Sequence, residues 1–79
     1  MTPAQHATEA ASLLAATHAA ADNASPARYA RLAAVHAVLA TKTGTGTNYT
    51  TAETELTRAA TDTGTDANAL RAHAYALLA

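Results

Sequence analysis

The chain has 79 residues and a formal charge of −1, and its five basic side chains are too few for the broad basic surface of a non-specific nucleic-acid or anionic-membrane binder. It contains no Cys, which excludes disulfides and thiolate metal sites. It contains 25 Ala and no Phe, Trp or Ile, so few large side chains are available for a core. A single small domain of this composition has a thin core, and we expect it to need a second copy of itself or another protein partner.

The first predicted helix spans about residues 3–21. Thr2 is a suitable N-cap, Pro3 fits the first helical position, and Gln5 stands three residues after the cap. Asp22 and Asn23 supply the end signal, because Asn tolerates the left-handed conformation that often closes a helix. At about 100° per residue, one face carries the side chains that we expect to be buried: His6, Ala10, Leu13, Leu14 and Thr17.

The second predicted helix spans about residues 26–41 and is the central one. Ser25 and Pro26 repeat the signature of a cap followed by proline, and the short connection to the first helix favours an antiparallel hairpin. One face carries the large side chains: Tyr29, Leu32, Val35, His36 and Leu39. The opposite side is mostly alanine, which permits the close approach of another helix. We predict a protein interface on the alanine side, formed by these residues: Ala30, Ala34, Ala37 and Val38.

A flexible linker is predicted at residues 43–48. It is not a phosphate-binding loop, because the only lysine, Lys42, precedes the glycines instead of following them. Thr50 and Glu53 form a capping box, which predicts a third helix at about residues 51–63. The face expected to be buried carries Ala52, Leu56, Ala59, Ala60 and Thr63. The opposite face, which we expect to be exposed to solvent, carries Thr54, Glu55, Arg58, Thr61 and Asp62.

The fourth predicted helix spans about residues 66–78, after Gly64 and a cap at Thr65 or Asp66. The side chains that we expect to face inward are Leu70, His73, Ala74, Leu77 and Leu78, whereas Tyr75 points away from them. Together the four segments predict an all-α fold, a small four-helix antiparallel bundle built from two helical hairpins. Residues 1–79 form a single domain.

Three histidines fall on predicted inner faces of different helices: His6, His36 and His73. Three imidazoles that met in the core could bind zinc with an open fourth position. However, no pair has the i, i+4 spacing of a two-histidine helical site, so we predict no metal and no cofactor. Two alternatives remain for the histidines. They are polar core residues bonded to hydroxyl or carbonyl groups, or they give the protein a response to pH, because an unperturbed imidazole titrates near about 6.5.

The segment 55–77 resembles a helix-turn-helix DNA-binding unit. Ala60 and Gly64 have the spacing of its small residue and turn glycine, and Ala59 and Leu70 stand at its packing positions. The resemblance implies that residues 65–75 form a recognition helix. The DNA contacts that it implies are Arg58, Asn68 and Arg71, and Asp66 would face the same groove. Thr65 and His73 depart from the pattern, which has large apolar residues there. DNA binding is therefore the alternative function.

Two alanine-rich segments, at residues 6–15 and 33–40, resemble short helical accessory proteins of GC-rich bacteria and their phages. This resemblance implies a small accessory protein and assigns no functional residue. No Ser or carboxylate has the setting of a catalytic group, and the most apolar run, residues 10–21, is too short to span a bilayer. No secretion signal is recognisable. We therefore predict a cytoplasmic, non-enzymatic protein-interaction module that self-associates, without contact to a membrane.

Overall fold

A computed structural model of the protein describes residues 1–19, 26–61 and 67–79. It contains four helices in this part of the chain: α1 (Pro3–Ala19), α2 (Pro26–Ala40), α3 (Thr47–Thr61) and α4 (Ala67–Leu78). None of these helices is both long enough and apolar enough to cross a membrane. The structure confirms the predicted all-α, four-helix fold.

The helices pack as two hairpins around α2. α1 packs on α2 and α3 on α4, while α2 also contacts α3 and α4. α1 and α2 run antiparallel, since His6 near the start of α1 meets His36 near the end of α2. Arg28 near the start of α2 likewise donates to the carbonyl of Ala59 near the end of α3. Within the described residues, no Cα of α1 lies within 8 Å of a Cα of α3 or α4.

The core forms around the face of α2 that carries its large side chains, as predicted. Leu32, Val35 and Leu39 are buried and pack with the inner faces of α3 and α4. Burial of one such side chain stabilises a fold by roughly 1.5–3 kcal/mol. Alanine fills most of the other core positions: Ala52, Ala59, Ala69, Ala72 and Ala76. These small residues add little apolar area but allow the helices to approach closely.

α3 begins earlier in the chain than the capping box predicts. Gly44 and Gly46 adopt φ values of +86° and +99°, which favour glycine. The carbonyl of Gly46 accepts the amide hydrogen of Thr50 at 3.1 Å, so α3 begins at Thr47. The prediction of a start at residue 51 was wrong. The amide of Thr50 is already bonded within the helix, and Glu53 reaches α1 instead of closing a capping box.

The orientation of α4 differs most from the prediction. Leu70, Leu77 and Leu78 were expected inside, but they are 60%, 60% and 69% exposed. The buried residues of α4 are alanines: Ala69, Ala72 and Ala76. Tyr75, which was expected outside, is half-buried and packs against the core. Because alanine and leucine stripes are both apolar, hydrophobic periodicity could not decide which of them faces α2 and α3.

Four further assignments of faces were wrong. Three residues expected inside are exposed: Leu14 on α1, Ala60 on α3 and Ala74 on α4. Glu55 is buried, although it was assigned to the solvent-exposed face of α3. Glu55 tolerates burial because two arginines pair with its carboxylate. The predictions for several capping and face residues lie outside the described part of the chain: Asp22, Asn23, Ser25, Asp62, Thr63, Gly64, Thr65 and Asp66.

Candidate functional site

Two buried histidines meet where α1 and α2 pack together. His6 Nδ1 lies 2.7 Å from His36 Nδ1, and the two side chains belong to residues that are only 1% and 7% exposed. The ring centroids are 4.9 Å apart. At this distance one nitrogen carries a hydrogen and the other accepts it, so a single proton lies between the rings. At the facing nitrogens each histidine is thus bonded to the other, and not to the hydroxyl or carbonyl that the sequence suggested.

Glu53 on α3 fixes the hydrogen on the far side of His6. His6 Nε2 lies 2.9 Å from Glu53 Oε2, and an ionised carboxylate only accepts hydrogen bonds. A neutral His6 therefore carries its hydrogen on Nε2 and accepts at Nδ1 from His36. The amino group of Met1 lies 3.0 Å from the same carboxylate oxygen. The chain of contacts Glu53–His6–His36 joins α3, α1 and α2 through side chains alone.

Tyr49 packs beside this chain of contacts. It is buried, its ring stands edge-on to that of His6 with centroids 5.6 Å apart, and its hydroxyl donates to the carbonyl of Met1 at 2.9 Å. Burial raises the pKa of Tyr49, and the negative charge of Glu53 raises it further. Tyr49 therefore remains a protonated donor at physiological pH and holds Met1, two residues before the start of α1.

The surroundings of His36 favour its neutral form. Burial lowers the pKa of His36 below its ordinary value of 6.5, and the neighbouring His6 lowers it further. The carboxylates of Glu9 and Glu53 act in the opposite direction without cancelling this effect. His36 is therefore uncharged at pH 7, which agrees with the single proton shared by the pair.

A cleft of about 600 Å³ opens over the pair, between α1 and α3. Its volume falls within the range of small-molecule sites. The residues that line it include two carboxylates, both histidines and three threonines: Glu9, Glu53, His6, His36, Thr50, Thr54 and Thr57. The threonine hydroxyls bond to carbonyls one turn earlier, as in Thr54 to Thr50 and Thr57 to Glu53. They are part of the helix and are not activated nucleophiles.

The three predicted inward histidines do not converge. His6 and His36 meet, but His73 is half-buried on α4, which has no Cα within 8 Å of α1 among the described residues. Within residues 1–19, 26–61 and 67–79, no three His, Asp or Glu side chains are grouped so as to hold a metal ion. The facing nitrogens of His6 and His36 share one hydrogen, so neither Nδ1 offers a free lone pair to a cation.

The second candidate site is the outward side of α4. Leu70, Ala74 and Leu77 follow the i, i+4, i+7 spacing of one helix face, with Leu78 beside them. We call these four residues the outer leucine stripe. All four are exposed. Each leucine would contribute roughly 1.5–3 kcal/mol if another surface covered it, so the stripe is suited to contact with another apolar helix.

The interface predicted on α2 is only partly accessible. Ala30 and Ala37 are exposed and Ala34 is half-buried. Val38 is partly buried and packs against the core. The accessible part of this surface therefore consists of methyl groups, which offer much less apolar area than the outer leucine stripe. Its use as an interface stays a prediction.

The three residues implied as DNA contacts are tied to one another and to Glu55. Arg58 Nη1 lies 3.0 Å from Glu55 Oε1, and Arg71 Nε lies 3.4 Å from Glu55 Oε2. Arg71 also donates to the side-chain oxygen of Asn68. The two arginine side chains are more than half exposed, but the buried carboxylate between them offsets part of their positive charge.

Sequence reasoning missed Tyr49 and Glu55 as partners in these networks, and it assigned Glu53 to a capping box while naming Glu9 and Glu53 as the carboxylates that could lie beside the histidines. A signal was available for Tyr49, because Tyr49, Ala52, Glu53 and Leu56 have the i, i+3, i+4, i+7 spacing of a single helix face. Reading that spacing would have extended α3 toward the linker and turned Glu53 inward. No comparable signal marked Glu55, which is buried through its pairing with Arg71 on another helix.

Comparison with known proteins adds no assignment to this geometry. No protein-family model matches the chain, and neither curated proteins nor solved structures show significant similarity to it. What the chain does is therefore inferred from its own contacts, burial and charges.

Proposed function

We propose that the protein is a non-enzymatic helical interaction module that self-associates through the outer leucine stripe of α4. One observation carries this proposal: α4 buries only alanines and leaves Leu70, Leu77 and Leu78 at 60–69% exposure. A chain with eight leucines has placed three of them on the outside of one short helix. Contact with a second apolar surface recovers the stabilisation that these side chains do not give to the monomer.

The chemistry of the stripe favours a second copy of the same chain as its partner. Two antiparallel copies of α4 related by a twofold axis place Leu70 of one copy beside Leu77 of the other, in the manner of a coiled-coil seam. The only charged residue in α4 is Arg71, and Glu55 of the same chain already pairs with it. Apposition of two copies therefore brings apolar surfaces together without a new unpaired charge.

The size of the stripe sets the expected strength of association. α4 has 12 residues and the stripe occupies about two of its turns, so the contact falls at the low end of specific interfaces, below roughly 1,200 Å². Association of this kind is weak, and we expect a dissociation constant in the micromolar range. The module would then respond to local concentration, as a transient partner does.

Sedimentation velocity of the wild-type protein, from low micromolar to several hundred micromolar, tests the proposal. Dimerisation is expected across this range, and Leu70→Glu/Leu77→Glu is expected to remain monomeric at every concentration. Thr54→Glu/Thr61→Glu is the matched control, because both residues are exposed on α3, outside the stripe, and the two substitutions add the same two negative charges. Circular dichroism must show that all variants retain their helices. A wild type that stays monomeric throughout, or a double variant that still dimerises, would refute the proposal.

DNA binding receives less support from the contacts. To reach phosphates or base edges, Arg58 and Arg71 would have to leave Glu55, and that carboxylate would then be buried without a partner. Phosphate contacts dominate the affinity of proteins for DNA, and α4 brings a single arginine to such a surface. We therefore rank the helix-turn-helix interpretation below self-association.

A further inference from the structure

We propose that the His6–His36 pair is a pH-sensitive contact, which we call the latch. It holds the first half of α1 against α2 and α3 at neutral pH and releases it when the pair binds a second proton. The proposal is independent of the outer leucine stripe, which lies on α4. It assigns a regulatory role to the two buried imidazoles that the proposed interaction surface does not use.

The space between the two rings accommodates one hydrogen and not two. The facing nitrogens are 2.7 Å apart, which is a good distance for one N–H donor and one lone pair. One proton added to the neutral pair makes one ring a cation and still leaves a single hydrogen between the rings, because the other ring accepts at its facing nitrogen. A second added proton makes both rings cations, so both facing nitrogens become donors. Neither ring could turn toward bulk water without movement of its helix, because both residues are buried. Entry of the second proton therefore separates the rings.

The groups that face the pair from each neighbouring element do not remove this conflict. α1 contributes Glu9, and α3 contributes Glu53 and Tyr49, while the Met1 amino group shares the carboxylate of Glu53. Glu53 is bonded at 2.9 Å to the far nitrogen of His6, so it offers no acceptor to a second hydrogen between the rings. Glu53 therefore does not relieve the conflict between two facing donors.

Separation of the rings affects α1 first, because α1 depends on side-chain contacts at this end. Its Cα atoms stay more than 8 Å from those of α3 throughout the described residues, so His6 to Glu53 and Tyr49 to Met1 bridge the gap. The other buried or half-buried apolar residues of α1 are small or partly exposed, chiefly Ala10 and Leu13. Within residues 1–17, only His6 and Ala10 are fully buried, and a helix with so few buried side chains belongs to the part of a fold that opens most readily.

The direction of the pH effect follows from the position of the folded pKa. The pKa of His36 in the folded protein is below its ordinary value of 6.5, so the released form takes up a proton more readily than the latched form. The stabilisation from the pair is therefore complete above pH 6.5. It is lost as the pH falls from 6.5 toward the lowered pKa of His36 in the folded protein. For one proton, the equilibrium constant for the opening of α1 then rises by at most about tenfold per pH unit.

Amide hydrogen exchange by NMR, corrected for intrinsic exchange rates, tests the latch in the full chain. Between about pH 7.5 and 5, protection factors of α1 should fall by up to about tenfold per pH unit below 6.5, while those of α3 fall less. His36→Asn places an amide where Nδ1 lies, and this amide does not titrate, so α1 protection should become independent of pH. His73→Asn is the matched control on α4 and should retain the wild-type response.

A histidine titration on the wild type keeps the proposal testable if His36→Asn does not fold. The ring signals of His36 should titrate below pH 6.5, over the same interval in which α1 loses protection. Constant α1 protection between the two pH values would overturn the latch. A parallel loss of protection in the wild type and in His36→Asn, or titration of His36 without any change in α1, would overturn it as well.

Discussion

α2 and α4 use the same residue types, yet they turn opposite kinds of side chain toward the core. The buried face of α2 carries its large apolar residues: Leu32, Val35 and Leu39. The fully buried residues of α4 are all small, namely Ala69, Ala72 and Ala76, with Tyr75 half-buried beside them. The outward faces are reversed in the same way, with Ala30 and Ala37 exposed on α2 and Leu70 and Leu77 exposed on α4.

The positions of the two helices explain the difference. α2 contacts all three other helices, so its large side chains fill the space at their common centre. α4 lies at the side of the bundle against α2 and α3, where alanine lets the helix axes come close. This close packing brings the backbones of the helices into contact, but it leaves the leucines of α4 exposed to solvent. The leucines of α4 are therefore an apolar surface that does not contribute to the core of the chain itself.

The largest effect that tests this comparison is expected from truncating the same residue type on each helix. Leu39→Ala removes a side chain that is fully buried in α2 and should lower the free energy of unfolding by about 2–5 kcal/mol. Leu70→Ala removes an exposed one and should change it by about 0.5 kcal/mol or less. Urea denaturation followed by circular dichroism, below the concentration at which the protein associates, measures both. Similar losses would mean that α4 is turned the other way.

A smaller effect is expected from enlarging the two faces of α4. Ala72 is completely buried, so Ala72→Leu should overpack the contact with α2 and α3 and cost about 1–3 kcal/mol despite the added apolar area. Ala74 lies in the outer leucine stripe, so Ala74→Leu should leave the monomer unchanged and strengthen association. Urea denaturation of both variants gives the first comparison, and sedimentation velocity gives the second. A stabilising Ala72→Leu would show a cavity where we infer tight packing.

Much of the fold was accessible from the sequence. The Thr2 cap, Pro3 and Pro26 fixed two helix starts, and the spacing of Leu32, Val35 and Leu39 identified the buried face of α2. The face of α4 was not accessible in this way. Alanine and leucine are both apolar, so their spacing along α4 shows two candidate faces and does not rank them. Only the distance between packed helices decides, and that distance is a property of the assembled bundle.

The candidate latch was accessible only in part. The sequence placed His6 and His36 on inner faces, but it could not show that these residues, 30 positions apart, bond to each other. Glu53 was read as a local cap because the Thr50-x-x-Glu53 pattern is common at helix starts. Its true partner is His6, 47 positions away. Long-range pairs of polar groups leave no periodic signal in one sequence, so they appear only once the helices are in contact.

A still smaller effect is expected from neutralising the buried carboxylate that links α3 to α4. Glu55→Gln removes the charge that holds Arg58 and Arg71 but keeps the size of the side chain. Because both arginine side chains are more than half exposed, solvent screens these pairs, and the expected loss is about 1 kcal/mol or less. Urea denaturation at low and high salt measures it. The difference between wild type and variant should shrink with salt, and a salt-independent difference would assign the loss to packing.

The smallest effect is expected from charging the exposed alanine side of α2. Ala37 is exposed and lies outside the core, so Ala37→Glu should change the free energy of unfolding by about 0.5 kcal/mol or less. If the outer leucine stripe is the contact surface, this variant should also dimerise like the wild type, whereas Leu77→Glu should not. Sedimentation velocity of the two variants at equal concentration separates the faces. Loss of the dimer in Ala37→Glu alone would move the interface to the α2 surface of Ala30, Ala34 and Ala37, and the leucines of α4 would then need another partner.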